Sequence, residues 1–260
     1  MNKSNHVLDQ FCLDGRTALI TGGSQGLGEV IAHAYAQAGA RVIITSRRLE
    51  SCQAVARKIT NETAAETFAL AADVSSSKDV EQLYQEVKEK VGPVDIIVNS
   101  AGINIRGSIT DITEENWDSI VDINLKAPFL MARRFAPDMA ERGWGRIIHL
   151  GSILSAIGIA NRAPYASSKT GLIGLTRVLA MEFASKGVTV NAICPGTFAT
   201  EMNRPLLDDP KIYADFVSKI PLGRWGDLSE ITGPALFLAS NASSFMTGST
   251  LYIDGGWTAQ

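Results

Sequence analysis

Short, nearly uninterrupted apolar runs alternate along the chain with longer stretches whose apolar residues recur every three or four positions. The runs predict strands over Thr17–Thr21, Arg41–Thr45, Thr67–Ala71, Asp95–Asn99, Arg146–Gly151, Thr189–Ile193 and Thr250–Ile253. Several are rich in Val and Ile without polar alternation, the pattern of strands covered on both faces. The intervening stretches predict helices over Leu27–Ala38, Glu50–Thr60, Lys78–Val91, Glu114–Arg142, Pro164–Lys186 and Ser229–Ser240. In the first of these Leu27, Ile31, Ala34, Tyr35 and Ala38 share a face, and Gly39 stands where a C-cap glycine belongs. Regular β-α alternation predicts an α/β fold, a parallel sheet of about seven strands with helices on both faces and right-handed crossovers. Such sheets bind ligands at the carboxyl ends of their strands, so chemistry is expected there.

Residues 1–12 read as an N-terminal arm and 13–260 as a single domain. Within it 197–226, carrying Pro205, Pro210 and Pro221, reads as an irregular excursion placed to be a substrate lid. Composition narrows the function classes. A chain of 260 residues, 45% hydrophobic and 20% charged, has enough core to fold without disulfides or metals. A net charge of −3 without a long basic run argues against nucleic acid or an anionic membrane as partner. Cys12, Cys52 and Cys194 are an odd number without C-x-x-C spacing, so neither a disulfide framework nor a zinc site is expected. No run of about 20 apolar residues predicts a membrane helix. Met1–His6 lacks the apolar segment of a secretion signal, and the expected location is cytoplasmic.

The first strand runs into Gly22-Gly23-Ser24-Gln25-Gly26-Leu27-Gly28, and a helix follows at once. Glycines permit a tight turn and close approach of backbone N–H groups to a pyrophosphate, and the helix N-terminus adds partial positive charge. The second strand ends in Ser46-Arg47-Arg48. An acidic residue at that point would bind both ribose hydroxyls and repel a 2′-phosphate. Here Ser46 and Arg47 can instead bond the 2′-phosphate, with Arg48 as a further charge, which favours NADP(H) over NAD(H).

Tyr165 and Lys169, four apart in a predicted helix, share a face. An ammonium about 4 Å from a phenolate contributes about 4 kcal/mol at an effective dielectric of about 20, or about three pKa units. That would bring a tyrosine from about 10 toward neutrality as an acid/base. Ser152 lies just past the fifth strand, able to polarise a carbonyl, and Asn124 is a polar amide inside an apolar helix, suited to holding the helix open or ordering a water. His33 and His149 read as structural, and no ligand cluster points to a metal.

The Gly-x-x-x-Gly-x-Gly spacing resembles the short-chain dehydrogenase/reductase family. The resemblance extends from about Leu13 to Trp257 through Asp73-Val74, Asn99-Ser100-Ala101-Gly102, Asn124, Ser152, Tyr165-x-x-x-Lys169, Pro195-Gly196 and Asp254-Gly255-Gly256. It implies a Rossmann-type doubly wound sheet and hydride transfer between a secondary alcohol and a ketone, with Tyr165 as acid/base. It also implies that Asp73 bonds the adenine amino group and that Asn99, Ala101 and Gly102 line the cofactor. Pro195 and Gly196 would lie beside the nicotinamide, with Thr197 and Thr200 in reach of carboxamide or phosphates. Asn124 would link Lys169 through water to solvent. A homotetramer or homodimer built on 114–142 and 164–186 is the implied assembly. Asn104, Arg106, Ile153, Leu154, Phe198, Met202 and Arg204 are candidate substrate contacts, a mixture that suits a small acidic, polar carbonyl compound. Overall similarity points to 3-oxoacyl-carrier-protein reductases and gluconate 5-dehydrogenase-like enzymes. The alternative is a catalytically silent dinucleotide-binding regulatory protein.

Overall fold

Val- and Ile-rich strands that lack a polar face have to be covered twice, and the computed structural model, which describes residues 6–260, covers them twice. The strands are β1 (Thr17–Thr21), β2 (Arg41–Ser46), β3 (Thr67–Ala71), β4 (Ile96–Asn99), β5 (Gly145–Leu150), β6 (Val188–Pro195) and β7 (Thr250–Ile253). They form one parallel sheet in the order β3-β2-β1-β4-β5-β6-β7. The helices are α1 (Gly26–Gln37), α2 (Leu49–Thr63), α3 (Ser77–Lys90), α4 (Glu114–Val121), α5 (Ala127–Glu141), α6 (Ala163–Phe183), α7 (Arg204–Leu207), α8 (Pro210–Ser218) and α9 (Thr232–Ala239).

Alternate residues of each strand feed two cores. Ile20, Ile44, Val98, Ile148 and Ile193 pack with Ile31, Tyr35 and Leu238 on one face. Leu19, Ile43, Ile97, Ile147 and Val190 pack with Leu83, Val87, Met131 and Phe135 on the other. The strand order reverses direction between β1 and β4, so the crevice between them opens at their carboxyl ends. This is the expected doubly wound, single-domain α/β fold.

Three expectations are corrected. The helix predicted over Glu114–Arg142 is interrupted by a π-helical turn, Asp122–Lys126, where Ala127 donates to the carbonyl of Asp122. Pro128 has no N–H to close a bond on the Asn124 carbonyl four residues earlier, which explains why the wider turn falls there. The stretch 197–226 is not irregular throughout, because it contains α7 and α8. Pro205 and Pro210 sit in the first turns of these helices, where a missing N–H loses nothing, and Asp209 caps α8 by accepting from Lys211 and Ile212. Ser229–Ser240 is a 3-10 turn, Leu228–Ile231, followed by α9. Of the N-terminal arm, residues 1–5 lie outside the described residues. Val7–Phe11 form a 3-10 turn against Asn241–Ser243. No described helix is long and apolar enough to cross a membrane, and no described group of His, Cys, Asp and Glu could hold a metal ion.

Candidate active site

Backbone approach, rather than side-chain chemistry, builds the first part of the site. Gly22 holds φ +65°, and a Cβ there would stand 2.8 Å from the Ala101 backbone, so the turn after β1 can lie against the loop after β4 only as glycine. Gly28 does not face the cleft. It lets the first turn of α1 close on the Gly22 carbonyl, which a Cβ would meet at 2.5 Å. Gln25, the N-cap of α1, makes no side-chain capping bond, so the free N–H groups of the helix start face the cleft without a protein partner.

The cleft has a volume of about 720 Å³, within the range of cofactor and ligand sites. Gly22, Ser24, Gln25, Gly26 and Leu27 line it at the turn, Ser46, Arg47 and Arg48 at the end of β2, and Asp73 and Val74 after β3. Ala101 and Gly102 line it after β4, with Ser152, Tyr165 and Lys169 beyond, and Pro195, Gly196, Phe198, Thr200 and Met202 close the far side. An uncapped helix N-terminus and two arginines at a β2 end with no acidic residue of its own fit a dinucleotide with an added ribose phosphate, and the Arg47 charge also reaches the Asp73 carboxylate after β3. The Asp73 carboxylate accepts from the backbone N–H and hydroxyl of Ser75, so part of its capacity serves the turn into α3.

The polar residues converge through the π-turn. Asn124 is 1% exposed, accepts from the N–H of Ile103 at 2.9 Å, and donates to the Ile103 carbonyl and to Ser168 Oγ at 3.0 and 3.1 Å. Its side-chain amide is thus spent on clamping the loop after β4 to α6. A Cβ on Gly102 would lie 3.2 Å from Asn124 Oδ1 and 3.7 Å from Lys169 Nζ. Lys169 is buried and donates to the Leu150 carbonyl, and burial pulls it down to about 8. Tyr165 lies on the first turn of α6, its ring centroid 5.6 Å from Lys169 Nζ.

The lysine is not what governs Tyr165 here. Burial raises the phenol above its ordinary value, while the Ser152 hydroxyl and then the charges of Arg162 and Arg106 draw it back. In the free protein Tyr165 is therefore a protonated acid. Cys194, buried at the end of β6, lies close enough that its charged form would oppose a phenolate at Tyr165.

Several sequence candidates lie elsewhere. Asn99 does not line the cleft: it is 3% exposed and its amide pairs with His149 Nδ1 at 3.1 Å, across the β4–β5 register. His149 has the structural place expected of it, and burial, followed by the nearby Lys169 charge, holds it down to about 3. Thr197 lines a separate cavity of about 100 Å³ with Leu222, Arg224 and Glu230. Ile153 and Leu154 belong to a core cluster with Leu206, Ile220, Trp225 and Trp257. Arg204 is exposed and pairs with Glu201 and Asp208. Asn104 and Arg106 stand just outside the lining. Arg106 reaches over to donate to the Met202 carbonyl and Asn203 Oδ1 at 3.3 and 3.4 Å.

The lining also holds Thr45, Ala72, Ile103, Ile123 and Asn203, which sequence reasoning missed. Each neighbours a residue it did find, but nothing in an Ile or Ala announces a ligand. Arg162 was missed as well, and only its position one turn before Tyr165 could have signalled it.

Comparison with known proteins agrees with this geometry. A family model described as Enoyl-(Acyl carrier protein) reductase matches residues 22–258. The 2-dehydro-3-deoxy-D-gluconate 5-dehydrogenase of Bacillus subtilis is 38% identical over 255 residues, 98% of this chain and 99% of that protein. The 3-oxoacyl-(acyl-carrier-protein) reductase of Escherichia coli K12 is 36% identical over 243 residues, 94% of this chain and 97% of that one. The crystal structure of a gluconate 5-dehydrogenase from Burkholderia cenocepacia, in complex with NADP and tartrate, superposes with a TM-score of 0.94 at 38% identity, covering 98% of this chain and all of that one. With the match running from the glycine turn to the C-terminal residues, the chain belongs to the short-chain dehydrogenase/reductase family of oxidoreductases.

Proposed function

We propose that the protein interconverts a secondary alcohol and a ketone on a small sugar acid, with NADP(H) as hydride carrier and Tyr165 as acid/base. The observation that carries this reading is the convergence of Ser152, Tyr165 and Lys169 on one cleft with the glycine turn and Arg47. NADP(H), when bound, supplies or accepts the hydride. Of the residues lining the cleft, Ser24, Gln25 and the first turn of α1 would hold its pyrophosphate, Arg47 with Ser46 and Arg48 its ribose phosphate, and Asp73 and Val74 its adenine end. Pro195, Gly196 and Thr200, also in the lining, would border the nicotinamide. In the reducing direction Tyr165 gives its proton to the carbonyl oxygen while the Ser152 hydroxyl stabilises the charge developing there. Lys169 holds positive charge beneath the tyrosine, and Asn124 keeps the loop and α6 in register.

The sugar-acid part rests on Arg106, a cation beside Tyr165, and on the gluconate dehydrogenases among the relatives. In this reading the loop 198–203, whose residues line the cleft ahead of α7 and α8, is the substrate lid. A screen following NADPH absorbance with 5-keto-D-gluconate and acetoacetyl-CoA tests the reading. Turnover of the keto acid supports it, and turnover of the thioester alone overturns the sugar-acid part.

Arg47→Asp is expected to raise the NADPH KM and shift the NADPH/NADH ratio of kcat/KM by about 10- to 100-fold toward NADH, the worth of a charged hydrogen bond. An unaltered NADPH KM would remove Arg47 from the phosphate site. α5 and α6 leave Phe129, Val178 and Met181 exposed at 43%, 55% and 83%. The assembly proposed on these helices is a homotetramer or homodimer, and sedimentation as a monomer would refute it.

A further inference from the structure

Two arginines whose charges reach Tyr165 stand just outside the cleft lining, and among the described residues neither has a carboxylate partner. Arg106 lies on the loop after β4, and its Nε is buried with no hydrogen-bond partner. Arg162 is the N-cap residue of α6, one helical turn before Tyr165, and its guanidinium bonds only the carbonyl of Asn161 next to it. The two loops are tied together there: the N–H of Gly107 donates to the Asn161 carbonyl at 3.3 Å, so the residues following Arg106 and preceding Arg162 are directly joined. Asn161 holds a left-handed φ of +63°, an uncommon conformation for a residue other than glycine.

Electrostatics adds two facts. Each arginine acts on Tyr165, and the Arg106 charge also acts on Arg162, whose own basicity is lowered first by burial. Arg16 and Arg142, by contrast, share a counter-ion, since both flank Asp95. Like charges gathered at the mouth of a site with no counter-ion among the described residues leave a place for an anion.

We propose that Arg162 is a substrate-binding residue which, with Arg106, forms a two-armed clamp for the carboxylate of the keto acid. This rests on the sugar-acid reading given above. Arg106 is anchored by Met202 and Asn203, while Arg162 has only a backbone bond to surrender, so Arg162 is the arm free to turn onto the carboxylate. Two forked guanidiniums match the four lone-pair sites of one carboxylate. The clamp distinguishes an open-chain sugar acid from a neutral ketose of the same shape, and it fixes the acid end relative to Tyr165, which determines the carbon that reacts.

L-Sorbose makes the test sharp, because it carries the ketone and hydroxyls of 5-keto-D-gluconate with CH2OH in place of the carboxylate. The quantities to measure are the kcat/KM ratio of keto acid to L-sorbose and, by calorimetry, the affinity of D-gluconate for the enzyme–NADP+ complex. Arg162→Gln is expected to lower both by about 10- to 100-fold, with Arg162→Lys falling between the two. An unchanged melting temperature in Arg162→Gln serves as the check on folding. Equal losses on acid and ketose, or unaltered gluconate affinity, overturn the clamp. Gluconate binding that depends on Arg162, without turnover of either ketone, would sink the proposed reaction and leave the clamp standing. Preferred reduction of neutral ketones with no gluconate binding would do the reverse.

Discussion

Tyr165→Phe is expected to lower turnover by about 10²- to 10⁴-fold, the usual worth of a positioned acid/base, while NADPH binding changes little. The substitution removes one hydroxyl. The ring, packed against the cluster of Ile153, Leu154, Leu206 and Trp257, stays in place. The pH dependence follows from the raised phenol of the free protein. Reduction uses the protonated form, so its kcat/KM is expected to be level at low pH and to fall as pH rises. Oxidation uses the phenolate and is expected to rise over the same range. NADPH fluorescence titration with stopped-flow turnover of wild type and variant measures both. Turnover within tenfold of wild type would mean that the proton travels by another route.

Lys169→Met is expected to inactivate the protein and stabilise it. Lys169 is lowered from 10.5 to about 8 by burial. Below pH 8 the folded protein therefore holds an ammonium that it binds less well than the unfolded chain does. Between about 8 and 10.5 the unfolded chain carries the extra proton, so stability rises with pH across that window and the penalty is fully present at pH 7. At about 1.4 kcal/mol per unit the penalty is about 3 kcal/mol. A methionine removes it but leaves the Leu150 carbonyl, on the cleft wall, to water. The net expectation is a gain of about 1–3 kcal/mol at pH 7, fading by pH 10.5, with turnover down by about 10²-fold or more. A chain of this size gains about 2–4 °C in Tm per kcal/mol. Melting curves at pH 7 and pH 10.5 check it, and a lower Tm for the variant at pH 7 would show that Lys169 is held by favourable contacts instead of functional need.

The same residue illustrates how far the sequence could be read. The four-residue spacing placed Lys169 on the Tyr165 face of α6, because a helix repeats locally and needs no other part of the chain. It did not reveal that Nζ is held by the Leu150 carbonyl on β5, nor that burial acts more strongly on the tyrosine than the ammonium does. Asn124 is similar. Its polarity in an apolar helix marked it out, but the π-turn and the bonds to Ile103 and Ser168 join segments far apart in sequence. Asn99 shows the same limit. Its place at a strand end was right, while its side-chain partner, His149, comes from the neighbouring strand.

What the sequence by itself determined was the succession of strands and helices, the glycine turn with its helix start, the absence of an acid at the end of β2, and the Ser152, Tyr165 and Lys169 set. These are properties of short windows: apolar runs, backbone freedom and helical repeat. Tertiary structure alone decided which strand ends meet at the cleft, where proline opens the long helix, and which candidates turn into the core. It also decided that Arg162 comes to stand beside Arg106. Burial and charge proximity are sums over residues distant in the chain, and only the folded sheet and its loops bring those residues together.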